Sequence, residues 1–264
     1  MNSEIARNIA VHNHIARGYN RRHTEIFNPI EQQRLRRQLS DCYHLSLDST
    51  DSPSALDFGC GSGNLTDHLL SIGYRVTSAD ISSKFLSNIQ RKHPGKRLVT
   101  HLLNGKDLSS FDDGTFDLVA TYSVLHHIPD YLTAVKEMIR VTKPGGLLLI
   151  DHETSEFFWK NYSQVLQFRK NASRFNYRKY LYPANYYHAF LRIFDKKHAN
   201  EGDIHVWPDD HVSWPLIKEL AFSSSLSVVS ESDYLLFNSL YRHSIYAKHV
   251  GIVNDTKCLV LSKP

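Results

Sequence analysis

Cysteine is scarce and poorly placed for crosslinking. Cys42, Cys60 and Cys258 are odd in number, far apart and form no CxxC pair. This argues against a disulfide framework or a structural zinc site and for a reducing compartment. Glycine and proline, 12 and 9 residues of 264, are too few for a collagen-like or low-complexity chain. No apolar run approaches the roughly 20 residues that span a bilayer. The polar start, MNSEIARNIAVHNHIARGYNRRH, lacks the apolar centre of a secretion signal. A soluble, cytoplasmic protein is expected. Neither charge sign dominates: 31 Lys and Arg against 27 Asp and Glu leave +4, too mild to argue for a nucleic-acid partner.

What is present is an ordinary globular composition, 41% hydrophobic and 22% charged, with an unusual 16 histidines. The length suits one α/β domain with an elaboration. Residues 1–50 read as a helical cap, closed by the punctuation Thr50-Asp51-Ser52-Pro53. From 51 to 150, short apolar strands alternate with helical stretches. Ala55–Phe58, Tyr74–Ala79, Arg97–Leu103, Phe116–Thr121 and Leu147–Ile150 are the predicted strands. Leu65–Ile72, Lys84–Lys92 and Tyr131–Val141 are the helices between them. Such alternation predicts a Rossmann-like, mostly parallel sheet with helices on both faces.

The pattern changes at 151. Residues 151–200 hold 13 of the 30 aromatics, and nine Lys or Arg against four Asp or Glu. The stretch 151–212 therefore reads as an inserted helical lid, with 213–264 completing the sheet. The aromatics between Phe157 and Phe194 can be helix core, or walls that exclude water and favour a cation. The interleaved Arg169, Lys170, Arg174, Arg178 and Lys179 suit an acidic acceptor, or a lipid surface. Leu216–Phe222 is a predicted helix, and Leu226–Ser232 and Lys257–Leu261 are late strands.

The first chemical signal is the glycine loop after Phe58, Gly59-Cys60-Gly61-Ser62-Gly63. A tight loop between strand and helix lets backbone N–H groups approach a ligand. The dinucleotide fingerprint needs a third glycine or alanine where Asn64 stands, and no P-loop Lys-Ser/Thr is present. Asp80 ends the second strand, where a carboxylate accepts both hydroxyls of a ribose.

LDFGCGSG, TSAD, FDLVATYSVLHHIPD and VTKPGG, in that order, resemble the successive motifs of class I S-adenosylmethionine-dependent methyltransferases. The likeness is greatest to the small-molecule branch that includes quinone-biosynthesis enzymes. It implies a seven-stranded, mostly parallel sheet and S-adenosylmethionine as methyl donor. By position it implies that Gly59, Gly61 and Gly63, with Cys60, meet the methionine part, and that Asp57 helps to fix its amino group. Asp80 would hold the ribose, with Ile81 and Ser123 completing the contacts. Tyr19 stands where an N-terminal aromatic closes over the cofactor. Either Asn104 or Asp107 takes the adenine amine.

The same resemblance puts His126 and His127 near the transferred methyl. An imidazole is suited to taking a proton from a hydroxyl as the methyl arrives. Either could equally cap the following turn. His205 and His211 are further candidates to reach the acceptor. With Asp209 and Asp210 they could bind a divalent metal, although Trp207–Asp210 also makes a plain turn. Methyl transfer to the oxygen of a small, acidic or aromatic acceptor is the expected reaction. A nitrogen, carbon or sulfur acceptor, or a non-catalytic cofactor-binding role, stays open.

Overall fold

The structure is a computed structural model that describes residues 8–13, 19–47, 50–95, 97–174 and 203–264. The aromatics from Phe175 to Phe194, with Arg178 and Lys179, lie outside the described residues. Seven strands form one sheet in the order β3-β2-β1-β4-β5-β9-β8. They are β1 (Ser54–Phe58), β2 (Arg75–Asp80), β3 (Leu98–Leu102), β4 (Phe116–Tyr122), β5 (Thr142–Thr154), β8 (Ser227–Tyr234) and β9 (Thr256–Ser262). Only β9 runs against the others, pairing antiparallel with both β5 and β8. A separate two-stranded ladder joins β6 (Val206–Trp207) to β7 (Asp210–His211).

Side-chain alternation explains the layers. Leu56, Phe58, Val119, Leu148 and Ile150 pack into one buried cluster, while Ala55, Leu118, Ala120, Leu147 and Leu149 pack into another on the opposite face. Every residue of β4 is buried, as a central parallel strand covered on both sides requires. Helix α6 (Tyr131–Val141) shows how the sequence supplies a cover. Tyr131, Ala134, Val135, Met138 and Ile139 recur at three- and four-residue steps and are all buried. Asp130 caps its start by accepting the Thr133 N–H at 3.0 Å. Truncating Met138 to Ala would cost about 2–5 kcal/mol.

On the other face lie α3 (Pro29–Leu47) and α4 (Asn64–Ile72). The expected N-terminal helices also include α1 (8–13) and the single turn α2 (Tyr19–Arg22). Between α3 and α6 in chain order, α5 (Ser83–Lys92) follows β2, with Ser82 Oγ accepting the Phe85 N–H. After the sheet, α7 (Glu156–Lys160) and α8 (Tyr162–Ala172) pack with Tyr241 and Tyr246 in a smaller aromatic core. Helices α9 (Trp214–Ser223) and α10 (His243–His249) complete the chain.

One strand departs from expectation. β5 continues four residues beyond Ile150, because Asp151, Glu153 and Thr154 pair with Cys258, Lys257 and Thr256. Polar residues hid this from the sequence pattern. Both carboxylates are buried yet satisfied, Asp151 by Arg34 and Tyr234, and Glu153 by backbone N–H groups. The strand order reverses between β1 and β4, so a crevice opens at their carboxyl ends, where open α/β sheets bind ligands.

Candidate functional site

The crevice is a real cleft. Its walls come from the glycine loop, the ends of β2 and β4, and the segment from Leu103 to Leu108, with Glu137 on α6. Residues of the N-terminal helices and of the loop 123–129 close its sides.

The glycine loop is shaped by backbone sterics. Gly59, Gly61 and Gly63 have φ of 71°, 49° and 89°, a region that side chains disfavour. At Gly59 a Cβ would also fall 2.6 Å from both methyls of Val124, so only glycine fits. The N–H groups of Gly59 and Cys60 both donate to Ala79 O, tying the loop to β2. Two polar atoms in this wall, Ser62 Oγ and Asn64 Nδ2, are buried without a hydrogen-bond partner. Unsatisfied donors at a helix N-terminus are what an anionic ligand group would complete. Cys60 also lines the cleft, its thiol pushed up by burial and by the Asp80 and Asp57 carboxylates.

Asp80 joins loop to strand. Its Oδ2 accepts the Gly61 N–H at 2.9 Å and its Oδ1 the Ser82 N–H at 2.7 Å. Burial raises its pKa, and these N–H groups oppose the shift. Ile81 and Ser123 line the same cleft. Ser123 has a φ of 60°, a left-handed conformation costing roughly 1–2 kcal/mol for a non-glycine residue.

Two expected contacts fall elsewhere. Asp57 does not line the cleft; it is 1% exposed and accepts the Thr66 hydroxyl at 2.6 Å behind the loop. Burial lifts its pKa to about 7, against the pull of the Thr66 hydrogen bonds. Of the alternatives after β3, Asp107 lines the cleft whereas Asn104 is turned to its own loop, where it accepts the Lys106 and Asp107 N–H groups and donates to Asp107. Hydrogen bonds from the Ser109 hydroxyl, then Asn104, lower Asp107 to about 2. Glu137, which no motif marked, stands in the same wall, accepts the Leu108 N–H at 3.0 Å and pairs with Arg140.

At the N-terminal side, Tyr19 lines the cleft, stacked on His23 at 4.0 Å and edge-on to Phe85. Helix α1 bridges the cleft from one end to the other. Asn8 donates to His127 O at 2.8 Å, Ser82 Oγ donates to Asn13 Oδ1 at 2.7 Å, and the His12 ring meets His127 edge-on at 5.1 Å.

The four candidate histidines separate. His127 lines the cleft. His126 is turned to Glu153, with Nδ1 2.8 Å from Oε2. The same carboxylate accepts the Val124 and Leu125 N–H groups, so one buried side chain holds the whole turn after β4. Asp203 lies 3.3 Å from His127 Nδ1 and 3.9 Å from His126 Nε2.

His205 and His211 do not reach the cleft. His205 Nδ1 lies 2.5 Å from Asp210 Oδ1, and its Nε2 faces the carbonyls of Ile128 and Pro129 at 3.1 and 3.2 Å. Carbonyl oxygens only accept, so Nε2 has no lone pair for a substrate proton. His205 instead braces the cleft-lining turn 128–129. His211 stacks on Trp159 at 4.6 Å, with Nδ1 toward Trp207 O, in a shallow depression elsewhere. The donors of His205, Asp209, Asp210 and His211 do not converge as a metal set; among the described residues, His126, His127 and Asp203 are the group close enough to share an ion.

A buried polar network was also invisible in sequence. Arg34 donates to Glu31 and to Asp151, the Tyr122 hydroxyl donates to Glu31 at 2.9 Å, and Tyr234 donates to Asp151 at 3.0 Å. Tyr122 thereby presents its ring to the cleft. No described helix is long and apolar enough to cross a membrane.

A family model described as a methyltransferase domain matches residues 56–150. A demethylmenaquinone methyltransferase of Bacillus pumilus is 30% identical over 203 residues, covering 75% of this chain and 77% of the relative. A ubiquinone biosynthesis O-methyltransferase of Thiobacillus denitrificans is 35% identical over 94 residues, 34% of this chain and 40% of the relative. Among solved structures, magnesium protoporphyrin IX methyltransferase of Synechocystis PCC 6803 with bound SAH aligns with a TM-score of 0.59. That alignment spans 99% of this chain and 100% of the other at 14% identity, a likeness of fold.

Proposed function

The chain belongs to the class I S-adenosylmethionine-dependent methyltransferases of the small-molecule branch, and on that premise we propose that it methylates a hydroxyl of a quinol-type aromatic acceptor. The observation that carries the reading is that His127 shares one cleft with the glycine loop and Asp80.

The cleft fits the cofactor in kind. Ser62 Oγ, Asn64 Nδ2 and the loop N–H groups suit its carboxylate, and Asp80 has lone pairs left for the ribose hydroxyls. Asp107 and Glu137 border the adenine end, and Tyr19 covers the ring side. Asp57 acts on this site through Thr66, by stiffening the start of α4. When bound, S-adenosylmethionine supplies an electrophilic methyl group on a sulfonium.

The remaining work falls to the chain. Tyr122, Val124 and Ile128 exclude water around the acceptor ring, and the walls align its oxygen with the methyl. As the acceptor oxygen takes the methyl group that the bound cofactor would supply, its hydroxyl proton would pass to His127. His126, held by Glu153, is a positioning residue for that turn. His205 braces residues 128–129 of the acceptor-side wall. Quinone-type chemistry is the class named for both relatives.

Incubation with methyl-tritiated cofactor and 1,4-dihydroxynaphthalene should move label into the organic phase, with or without chelator. Cofactor binding without transfer to any aromatic hydroxyl would defeat the acceptor reading. Chelator-sensitive transfer would give the His126, His127 and Asp203 group an ion.

A further inference from the structure

Beyond the ends of three strands lies a part of the chain that does not line the cleft. Thr154 of β5, Thr256 of β9 and Tyr234 of β8 pair side by side at the carboxyl edge of the sheet, the edge at which the cleft opens. Residues 155–174 and 235–255 leave the sheet there and join into one unit. They share the small core of Phe158, Val165, Phe168, Tyr241 and Tyr246. The backbone also ties them together, since the Arg174 N–H donates to Leu240 O and the Arg242 N–H to Ala172 O, both at 2.8 Å. Asn28 Nδ2 donates to Phe237 O at 3.3 Å, which fastens the unit next to Ile26 and Phe27 of the cleft wall.

The surface of this unit carries charge of one sign. Residues 157–174 and 235–254 contain no Asp or Glu, where the chain's average of 27 in 264 would place about four. Lys160, Lys170, Arg174, Arg242 and Lys248 are all exposed there. Of the bordering carboxylates, Asp255 is buried, accepting from Arg169 and the Leu236 N–H, and Glu156 faces Lys257. Apolar side chains stand out among these cations. On α8, Tyr162 and Leu166 are exposed in one stripe with Lys170, at four-residue steps. After α10, Val250 and Ile252 are 53% and 60% exposed, Ile252 more than any other large apolar residue described. They flank Gly251, which turns the chain with a φ of 79° and where a Cβ would meet nothing within 4 Å, so the turn projects into open space. The turn is nonetheless anchored. The Ile252 and Val253 N–H groups both donate to His249 O, and the His249 ring packs on Phe168 of α8 at 4.9 Å. The exposed Leu216, Phe222 and Val228 of α9 and β8 differ, since the exposed Glu219 and Glu231 share those elements.

We propose that this unit docks the protein on an anionic phospholipid bilayer. Val250 and Ile252 enter the boundary between headgroups and acyl chains, and the basic side chains meet lipid phosphates. Exposed apolar side chains within a basic surface are what such an interface rewards, because it offers hydrocarbon and negative charge side by side. A nucleic acid would meet the cations but would gain little from two aliphatic side chains on a projecting turn. Docking by this unit sets the carboxyl edge of the sheet toward the lipid, where an apolar acceptor concentrates. The surface lies outside the cleft and does not depend on which atom is methylated.

Flotation of the full chain with extruded vesicles tests this without turnover. The vesicles are phosphatidylcholine alone, or phosphatidylcholine and phosphatidylglycerol in equal parts. The parent should partition about tenfold or more strongly onto the mixed vesicles and lose most of that advantage at high salt. The pair Val250→Ser and Ile252→Ser should lower partitioning about tenfold, and so should the pair Lys170→Glu and Lys248→Glu. All four positions are exposed, so circular dichroism and S-adenosylmethionine affinity should stay as in the parent. The pair Leu216→Ser and Phe222→Ser on α9 should leave partitioning unchanged. A parent that does not float with the mixed vesicles overturns the proposal, as does equal partitioning onto phosphatidylcholine alone. Binding undiminished in the 250 and 252 pair overturns it too, marking a surface for polyanions in general, and so does an equal loss in the α9 pair. The vesicles carry no acceptor, so each of these outcomes leaves the acceptor reading to its own experiment.

Discussion

The two ends of the cleft are built in different ways. At the β1–β2 end, the shaping residues lie close together in the chain, from Asp57 through the glycine loop to Asp80, Ile81 and Phe85. The hydrogen bonds among Gly59, Cys60, Gly61, Ala79, Asp80 and Ser82 there are made by strand ends and the loops that follow them. At the β4–β5 end, the walls gather Asn8 and His12 from α1 and Tyr122, Val124, His127 and Ile128 from the turn after β4, with His205 bracing that turn from behind. The first end is a local motif that any chain carrying it will form. The second is an assembly of distant segments.

Breaking the local end should have the largest effect. A Cβ at Gly61 meets nothing closer than Gly59 O at 4.0 Å, so a longer side chain there projects into the cleft rather than into the protein. Gly61→Arg should abolish S-adenosylmethionine binding in calorimetry while the circular dichroism spectrum is kept. At the assembled end, His127→Ala should lower kcat by about 10²–10⁴ with cofactor affinity nearly intact. Loss of cofactor binding in that variant would join the two ends and undo the comparison.

Asp57 offers a subtler test of the local end. Its carboxyl titrates near 7 in the native state and near 3.8 ordinarily, so the folded protein keeps a proton that the unfolded chain releases. Stability from this group is full below about pH 4 and falls as pH rises toward 7, by at most about 1.4 kcal/mol per pH unit. Asp57→Asn should flatten that slope in urea titrations at pH 5 to 7. Thr66 can still donate to the amide oxygen, so an unchanged slope would place the titration elsewhere. Asp80 tests the same end through the cofactor. Asp80→Ala should weaken cofactor binding by about 1.5–3 kcal/mol, through lost charge-assisted hydrogen bonds and a loosened Gly61 N–H.

Strand and helix assignments from 54 to 150 were legible because each element carries its own signal: alternation or a continuous apolar run for strands, three- and four-residue steps for helices. Tyr131–Val141 matches to the residue. The extension of β5 through Asp151 and Glu153 was not legible, because buried carboxylates read as surface until their partners are known. The same limit explains His205. Its neighbourhood of carboxylate and imidazole looks like chemistry in sequence, and only the approach of Ile128 and Pro129 shows it to be a brace. Glu137 and Glu153 were missed for the converse reason, since each is a plain acidic residue made special by N–H groups from remote turns.

The residues alone determined the sheet-and-helix alternation, the glycine loop and the acidic end of β2. Backbone conformation at glycine and periodic burial are short-range properties, set within a few positions. Tertiary structure decided which histidine faces the cleft, which carboxylates hold its walls, and that His152 leaves the ladder to stand beside Tyr122. Those outcomes depend on hydrogen-bond partners 27 to 119 positions away, and no local pattern carries them.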